Sequence, residues 1–242
     1  MHGVSYLAWS QWKAAALNPP HLAAINPWKG VTDFYRELAF HAEIPETECL
    51  AMWHPSVSFT KTQVEDLIKM AEGHTLFDDY WKSKNADLFR ITVPCFAVAS
   101  WADHGLHTRG TLDGFKKISS EHKCLIIYGR KKWGNFYQNA ERQRQFFDMF
   151  LKGKESEIRF WPKVLPEVRE RYYVGNFRKS TAWSLPETRY EKLYLDSEEK
   201  ACAGTSPEKN QKHAIAPTKM PARRLGSNST IFGDIKSSLL ET

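Results

Sequence analysis

"MHGVSYLAWSQWKAAAL", residues 1–17, sets a serine in a short glycine-containing turn that runs straight into a helix-patterned stretch. The apolar and alanine residues from Trp9 onward recur at helical spacing. A serine at the apex of a sharp turn between a strand and a helix is typical of a nucleophile elbow, which exposes the serine hydroxyl. An elbow also needs a strand in front of it, and only Met1 and His2 precede this turn. The stretch predicts that Ser5 is a nucleophile at the edge of a sheet.

The rest of the first two thirds of the chain alternates between strand patterns and helix patterns. HLAAINPW (21–28), ITVPCFAVASWAD (91–103) and KCLIIYG (123–129) read as buried strands. HTRGTLDGFKKI (107–118) and NAERQRQFFDMFLKG (139–153) read as the helices that follow the last two of them. This alternation predicts an α/β fold with a parallel sheet and crossover helices.

A helix-rich block interrupts the alternation between residues 31 and 90. Its helical segments are VTDFYRELAFHAE (31–43), SFTKTQVEDLIKMAEGH (58–74), with a threonine cap and an end at Gly73, and HTLFDDYWKSKNADLF (74–89). Because strand patterns are missing from this block, we predict a helical cap inserted into the sheet domain. Its large aromatic residues either line a pocket or pack in a core, and the sequence leaves both interpretations open. They are Trp53, Phe77, Tyr80 and Trp81.

The pattern changes again after residue 156. EIRFWPKV (157–164), ERYYVGNF (170–177) and RYEKLYLD (189–196) are short alternating segments, which predict the start of a separate β domain. The tail after Asp196 is rich in Ser, Lys and Pro, and we expect it to be disordered. The predicted division is 1–30 for the elbow part of the core, 31–90 for the cap, 91–155 for the rest of the core, 156–196 for the β domain and 197–242 for the tail.

The composition, with 42% hydrophobic and 13% aromatic residues among 242, is that of a globular protein. No apolar run approaches the roughly 18 residues of a membrane span, so we expect no membrane association, and we see no secretory signal. Four well-separated cysteines without a CxxC pair favour free thiols and a cytoplasmic location. The histidines and cysteines do not cluster at ligand spacing, so we expect no metal and no cofactor.

The formal net charge of +6 is mild for this length, and the main basic clusters are Lys116–Lys117 and Arg130–Lys132. We interpret both as solvated surface and expect no nucleic-acid partner, since no nucleic-acid-binding motif accompanies them. An anion-binding module built on Arg130–Lys132 is an alternative that rests on composition alone.

Three side chains that could take part in a reaction lie at the ends of predicted strands or in the turns that follow them: Ser5, Asp103 and Tyr128. Ligands of an open parallel sheet bind at the carboxyl ends of its strands. In the α/β-hydrolase triad, too, the serine precedes the aspartate in the chain. The triad also needs an imidazole that lies in space between these two side chains, where it takes the serine proton and is oriented by the carboxylate. The residues therefore favour a hydrolase site but leave the base unassigned.

These segments resemble the X-Pro dipeptidyl-peptidase/CocE-NonD family of serine hydrolases. GVSYLA (3–8) is similar to the family motif Gly-x-Ser-Tyr-x-Gly, with Ala8 in place of the last glycine. ASWADHGLHTRGTLDGF (99–115) is similar to the segment with the catalytic aspartate, which gives that role to Asp103. TAWSLPETRYEKLYLD (181–196) resembles the entry to the family's jelly-roll domain. The implied fold is a partial α/β-hydrolase parallel sheet with a helical cap, followed by the start of a β jelly roll.

The family's catalytic histidine is replaced in this resemblance. YGRKKWGNFY (128–137), with the helix after it, is similar to a stretch that begins His-Gly-x-x-x-Trp in the family, so Tyr128 occupies the histidine position. A phenol with a pKa near 10 is a poor general base at neutral pH. His122 is expected on the opposite edge of the sheet. His104 and His107 are expected to be surface or capping residues, and the alternative is that one of them replaces the missing histidine as the base. We therefore expect an incomplete triad.

The resemblance implies acyl transfer to water from a small ester, amide or peptide substrate. Ser5 would attack the carbonyl carbon, Asp103 would orient the base and the backbone N–H of Tyr6 would stabilise the oxyanion. A complete member has further strands and an oxyanion-hole loop before the elbow, so we expect a truncated chain whose open sheet edge favours self-association. The alternative is a non-catalytic remnant or pseudoenzyme that at most binds a ligand or a partner.

Overall fold

The computed structural model describes residues 1–58, 61, 65–103, 105–129, 132–196 and 201–203. The chain divides into two compact units, Met1–Thr188 and Arg189–Thr242. No helix in the described ranges is long and apolar enough to cross a membrane.

The described strands, in chain order, are β1 (His2–Val4), β2 (Asn26–Trp28), β3 (Phe40–His41), β4 (Ile44–Pro45), β5 (Cys95–Ser100), β6 (Lys123–Tyr128), β7 (Val164–Arg171), β8 (Val174–Phe177), β9 (Tyr194–Asp196) and β10 (Ala201–Ala203). The α-helices are α1 (Tyr6–Ala16), α2 (Cys49–Ser58), α3 (Leu67–Gly73), α4 (Asp79–Lys84), α5 (Thr108–Lys117), α6 (Lys132–Gln138) and α7 (Ala140–Lys152).

A six-stranded sheet in the order β1-β2-β5-β6-β7-β8 forms the centre of the first unit. The pairs from β1 through β7 are parallel, and β8 is antiparallel to β7. This confirms the predicted parallel α/β sheet. Because the strands are parallel, the turns after β1 and β5 emerge at the same edge, and these turns carry Ser5 and Asp103.

Helices cover both faces of the sheet, which explains why β5 is apolar from Cys95 to Ala99. Ala97 and Ala99 pack into a cluster with Trp12 of α1 and Phe115 of α5. The alternate residues of β5, Phe96 and Val98, face the other cluster, which Phe146 of α7 joins. Successive strand side chains point to opposite faces, so a strand buried on both sides has no polar alternation.

The predicted helical cap contains helices but is not purely helical. The segment from Val31 forms only a π-helical turn, Tyr35–Ala39, before the chain turns through the β3–β4 hairpin, so the predicted absence of strands is wrong. Helix α3 begins with Asp66, whose carboxylate accepts the backbone N–H of Lys69 at 3.1 Å. The predicted threonine cap, at Thr60 or Thr62, lies outside the described residues.

The C-terminal part departs from the predicted division at residue 156. The segment 157–160 is a 3₁₀ helix rather than a strand, and β7 then pairs with β6 while β8 pairs with β7, so both strands extend the main sheet. A short hairpin of β9 and β10 lies in the second unit. The predicted jelly roll remains a prediction. The predicted disordered tail lies outside the described residues except for 201–203, which form β10.

Candidate active site

Ser5 occupies the tight turn between β1 and α1. Its backbone has φ 61° and ψ −116°, a conformation that residues other than glycine rarely adopt. The turn is fixed on both sides: the Ser5 N–H donates to the Trp28 carbonyl at 2.9 Å, and the Ser5 carbonyl accepts from Ala8 and Trp9. Strain of this kind clusters at active sites, and a strained strand-to-helix turn is the expected geometry of an elbow.

His107 lies beside the Ser5 hydroxyl. Its Nε2 atom is 3.0 Å from Ser5 Oγ, and its Nδ1 atom is 3.0 Å from Asp103 Oδ2. His107 directly precedes α5 and is only 3% exposed, whereas Asp103 lies one turn earlier in a short 3₁₀ helix after β5. Serine, imidazole and carboxylate therefore form a continuous hydrogen-bonded chain.

The sequence interpretation of His107 as a surface or capping residue is wrong, because the side chain is buried and makes no cap hydrogen bond. The available signal was its spacing: an aspartate and a histidine four residues apart lie on the same side of one helical turn. What the pattern did not reveal is that this turn faces the elbow. His104 lies outside the described residues.

Tyr128 is engaged away from Ser5 at the end of β6. Its hydroxyl donates to Asn139 Oδ1 at 2.5 Å, and its ring stacks on Trp28. Burial raises the pKa of Tyr128 to about 12, so the phenol is neutral at physiological pH. His122 is exposed, precedes β6 at the opposite edge of the sheet and contacts Phe150. Arg130 and Lys131, which carried the anion-binding alternative, lie outside the described residues.

The backbone N–H of Tyr6, which the sequence predicts as the oxyanion donor, lies at the first residue of α1. This N–H therefore has no carbonyl four residues earlier within the helix. The positive end of the helix dipole lies at this same terminus. The amide that follows the nucleophile is thus a donor next to Ser5.

A cavity of about 210 Å³ opens beside Ser5 and His107. Its walls are apolar and come from α1, the start of the cap and α2. They include Trp9, Val31, Phe34, Leu38, Leu50 and Trp53. No carboxylate belongs to the described lining.

Of the four aromatic residues that could form a pocket, only Trp53 lines this cavity. Trp81 is fully buried in an apolar cluster within the cap, and Phe77 and Tyr80 pack against that cluster. These three therefore follow the core-packing interpretation. Among the residues that the structure describes, no group of three or more His, Cys, Asp or Glu side chains could hold a metal ion.

Comparisons with known proteins agree with this architecture. Residues 1–65 match the model of the X-Pro dipeptidyl-peptidase family, S15. Two crystal structures of a CocE/NonD family hydrolase from Staphylococcus aureus are 43% and 42% identical over 84% of this chain, with TM-scores of 0.80 and 0.74. The chain spans only 38% and 37% of the length of those two structures. No curated protein matches the chain.

A more distant structure shares the fold alone. An aminopeptidase from a marine sediment archaeon of the Thaumarchaeota is 15% identical, covers 81% of this chain and 41% of its own, and has a TM-score of 0.60. The elbow thus lies within the matched family segment, and the fold that carries it is similar to that of the bacterial hydrolase. The chain belongs to the X-Pro dipeptidyl-peptidase-like CocE/NonD family of hydrolases.

Proposed function

We propose that the chain is a serine hydrolase in which Ser5 is the nucleophile, His107 the general base and Asp103 the residue that orients the base. The observation that carries this proposal is the 3.0 Å separation between Ser5 Oγ and His107 Nε2. A base must lie within about 2.6–3.2 Å of the proton that it removes. His107 thus takes the place that the family resemblance gave to the residue at position 128.

The carboxylate of Asp103 determines which imidazole nitrogen is basic. Accepting the Nδ1 proton at 3.0 Å holds that proton in place and leaves Nε2 free to accept the serine proton. The same carboxylate stabilises the imidazolium that forms during the reaction. Asp103 therefore acts through His107 rather than on the substrate.

The reaction follows from these positions. Ser5 Oγ attacks the carbonyl carbon while its proton moves to His107 Nε2, and the oxyanion accepts the Tyr6 N–H. Collapse of the tetrahedral intermediate breaks the bond to the leaving group, which takes the proton from His107. Water, deprotonated by His107, then hydrolyses the acyl-enzyme and restores Ser5.

The cavity favours a small neutral acyl group. An enclosed apolar cavity of about 150 Å³ accommodates a benzene ring in another protein, so about 210 Å³ accepts an aromatic or short branched acyl chain. A positively charged peptide amino terminus needs an acidic partner when it is buried, and the described lining offers none. We therefore favour esters of neutral acids over peptides.

Labelling with a fluorophosphonate probe tests the proposal. We expect the probe to modify Ser5 in the full chain, and peptide mass spectrometry locates the adduct. The Ser5→Ala variant should not be labelled, whereas Ser10→Ala, at a half-buried serine of α1 outside the cavity, should be labelled normally. Hydrolysis of a p-nitrophenyl benzoate should exceed that of an X-Pro p-nitroanilide.

A folded protein that reacts with neither the probe nor the esters would contradict the proposal. That result would support the non-catalytic remnant instead. Circular dichroism and a cooperative unfolding transition establish that the tested protein is folded.

A further inference from the structure

Glu37 is a buried carboxyl that takes no part in the proposed reaction steps. It lies in the π-helical turn at the start of the cap and is 3% exposed. Its oxygens accept the backbone N–H groups of Thr32 and Asp33 at 3.2 and 3.0 Å, and the Thr32 hydroxyl lies 3.2 Å from Oε1. These three partners satisfy the hydrogen-bonding groups of the buried carboxyl, so Glu37 is an integral part of the protein interior.

The carboxyl of Glu37 packs directly on the helix that follows the proposed base. It contacts the backbone of α5 at Gly110, where any Cβ atom would overlap the carboxylate, so glycine is required there by this close approach. The neighbouring residue Thr111 accepts the N–H of Gly30 at 3.1 Å and lies 2.9 Å from the His107 carbonyl. The segment that enters the cap is thereby joined to the first turns of α5.

The hydroxyl of Thr32 has one proton and two acceptors within reach. Gly110 O is 3.1 Å from Thr32 Oγ1, and Glu37 Oε1 is 3.2 Å away. When the carboxyl is neutral, its own O–H donates to Thr32 Oγ1, and the threonine proton is free to donate to Gly110 O. When the carboxyl loses that proton to solvent, the Thr32 proton turns to the carboxylate, and the Gly110 carbonyl loses this donor.

Both states are accessible near neutral pH. Burial and, to a smaller extent, the nearby charge of Asp33 raise the pKa of Glu37 to about 8, against the opposing effect of the hydrogen bonds from the Thr32 and Asp33 amides. Asp33 is itself paired with Arg36 at 2.6 Å. On the facing helix the carboxyl meets the backbone at Gly110, and His107 is the titratable side chain at the start of that helix.

We propose that the neutral form of Glu37 is a positioning element for His107, because it directs the Thr32 hydroxyl to the Gly110 carbonyl and so ties the entry to the cap to α5. This inference rests on the proposed role of His107 as the base. Ionisation of Glu37 breaks the hydrogen bond between Thr32 and the Gly110 carbonyl and lets the start of α5 move relative to Ser5. A misplacement of about 1 Å at a reacting group lowers the rate by on the order of 100-fold.

The pH dependence of Glu37→Gln provides the test. The amide of glutamine does not ionise and donates to Thr32 Oγ1 from the position of Oε1, where it no longer accepts the Asp33 N–H. We therefore expect a labelling rate that is somewhat lower at neutral pH but does not decline above pH 8. The unchanged protein should lose up to about tenfold between pH 7 and 9, because the neutral fraction of a group with a pKa of about 8 falls by that factor over this interval. Thr32→Val should be slow at all pH values, and Thr32→Ser should behave like the unchanged protein. An identical alkaline decline in Glu37→Gln overturns the proposal.

A second readout separates this proposal from the proposed function. The ¹⁵N resonances of the His107 ring, followed by NMR, should shift with a midpoint near pH 8 in the unchanged protein and not in Glu37→Gln. This measurement needs no turnover. A protein that fails to react with the probe but shows the Glu37-dependent shift refutes only the hydrolase proposal. A protein that reacts with the probe but lacks the shift refutes only the proposal that Glu37 positions His107.

Discussion

Gly3 and Leu7 approach so closely that a Cβ atom at residue 3 would lie 2.5 Å from the Cβ of Leu7. Gly3 belongs to β1 and Leu7 to the first turn of α1, so their contact determines how the strand enters the helix. Ser5 lies between them. The glycine at this position therefore controls where the serine hydroxyl is held.

We expect Gly3→Ala to lower the free energy of unfolding by about 1–3 kcal/mol, because the added methyl pushes β1 and α1 apart. The displaced Ser5 should react with the fluorophosphonate probe on the order of 100-fold more slowly. Chemical denaturation and the labelling rate measure the two effects. Gly73→Ala is the matched control, since a methyl there meets nothing within 4 Å. Equal effects of the two substitutions would contradict this account of the elbow.

We expect His107→Gln to lower the rate of ester hydrolysis by on the order of 10⁴- to 10⁶-fold, because the serine loses its base. His122→Gln, at an exposed histidine, should leave the rate unchanged. Tyr128→Phe should also retain activity and lose about 1 kcal/mol of stability with the hydrogen bond to Asn139. Steady-state kinetics of the three purified variants decides between His107 and Tyr128. A larger loss in Tyr128→Phe than in His107→Gln would reverse the assignment.

We expect Trp53→Ala to raise KM for a benzoyl ester by roughly 5- to 30-fold, because truncating this wall of the cavity removes about 1–2 kcal/mol of apolar contact. An acetyl ester, too small to reach that wall, should change less than twofold. Trp133→Ala, at an exposed tryptophan of α6 that does not line the cavity, is the control. If both esters respond alike, Trp53 does not form the acyl wall.

We expect the free energy of unfolding to fall as the pH rises from about 4.5 to about 8, because the pKa of Glu37 is raised from 4.5 to about 8 in the folded chain. Below pH 4.5 the group is protonated in both states, so its contribution is fully present there. As the pH rises, the unfolded state loses the proton first and is favoured, by a few kcal/mol at most. Denaturation at several pH values measures the trend, and the difference from Glu37→Gln isolates it. The same pH slope in both proteins would contradict this origin.

The sheet was predictable because its central strands are buried on both faces, as in the unbroken apolar run that includes Phe96 and Val98. The helix after β5 was predictable for a similar reason, since its apolar residues recur at helical spacing. That β7 belongs to this sheet was not predictable, because a segment with alternating apolar residues looks the same at the edge of a sheet and in a separate β domain.

His107, the proposed base, was the larger omission in the site. Asp103 and His107 are close in sequence, yet nothing local indicates that their turn faces Ser5. That arrangement depends on the parallel pairing of β2 with both β1 and β5, which brings distant turns to one edge. Single-sequence patterns describe local conformation and burial, whereas the meeting of two turns is a property of the tertiary fold.

The hydrogen bond between Ser5 and His107 joins residues 102 positions apart in the chain. Contacts of such separation form only after the intervening loop has been closed, which carries an entropic cost and slows folding. The cap must be accommodated within that loop before the two side chains meet. Reactivity of Ser5 would therefore appear late in refolding, after the helices have formed, and would report completion of the native topology.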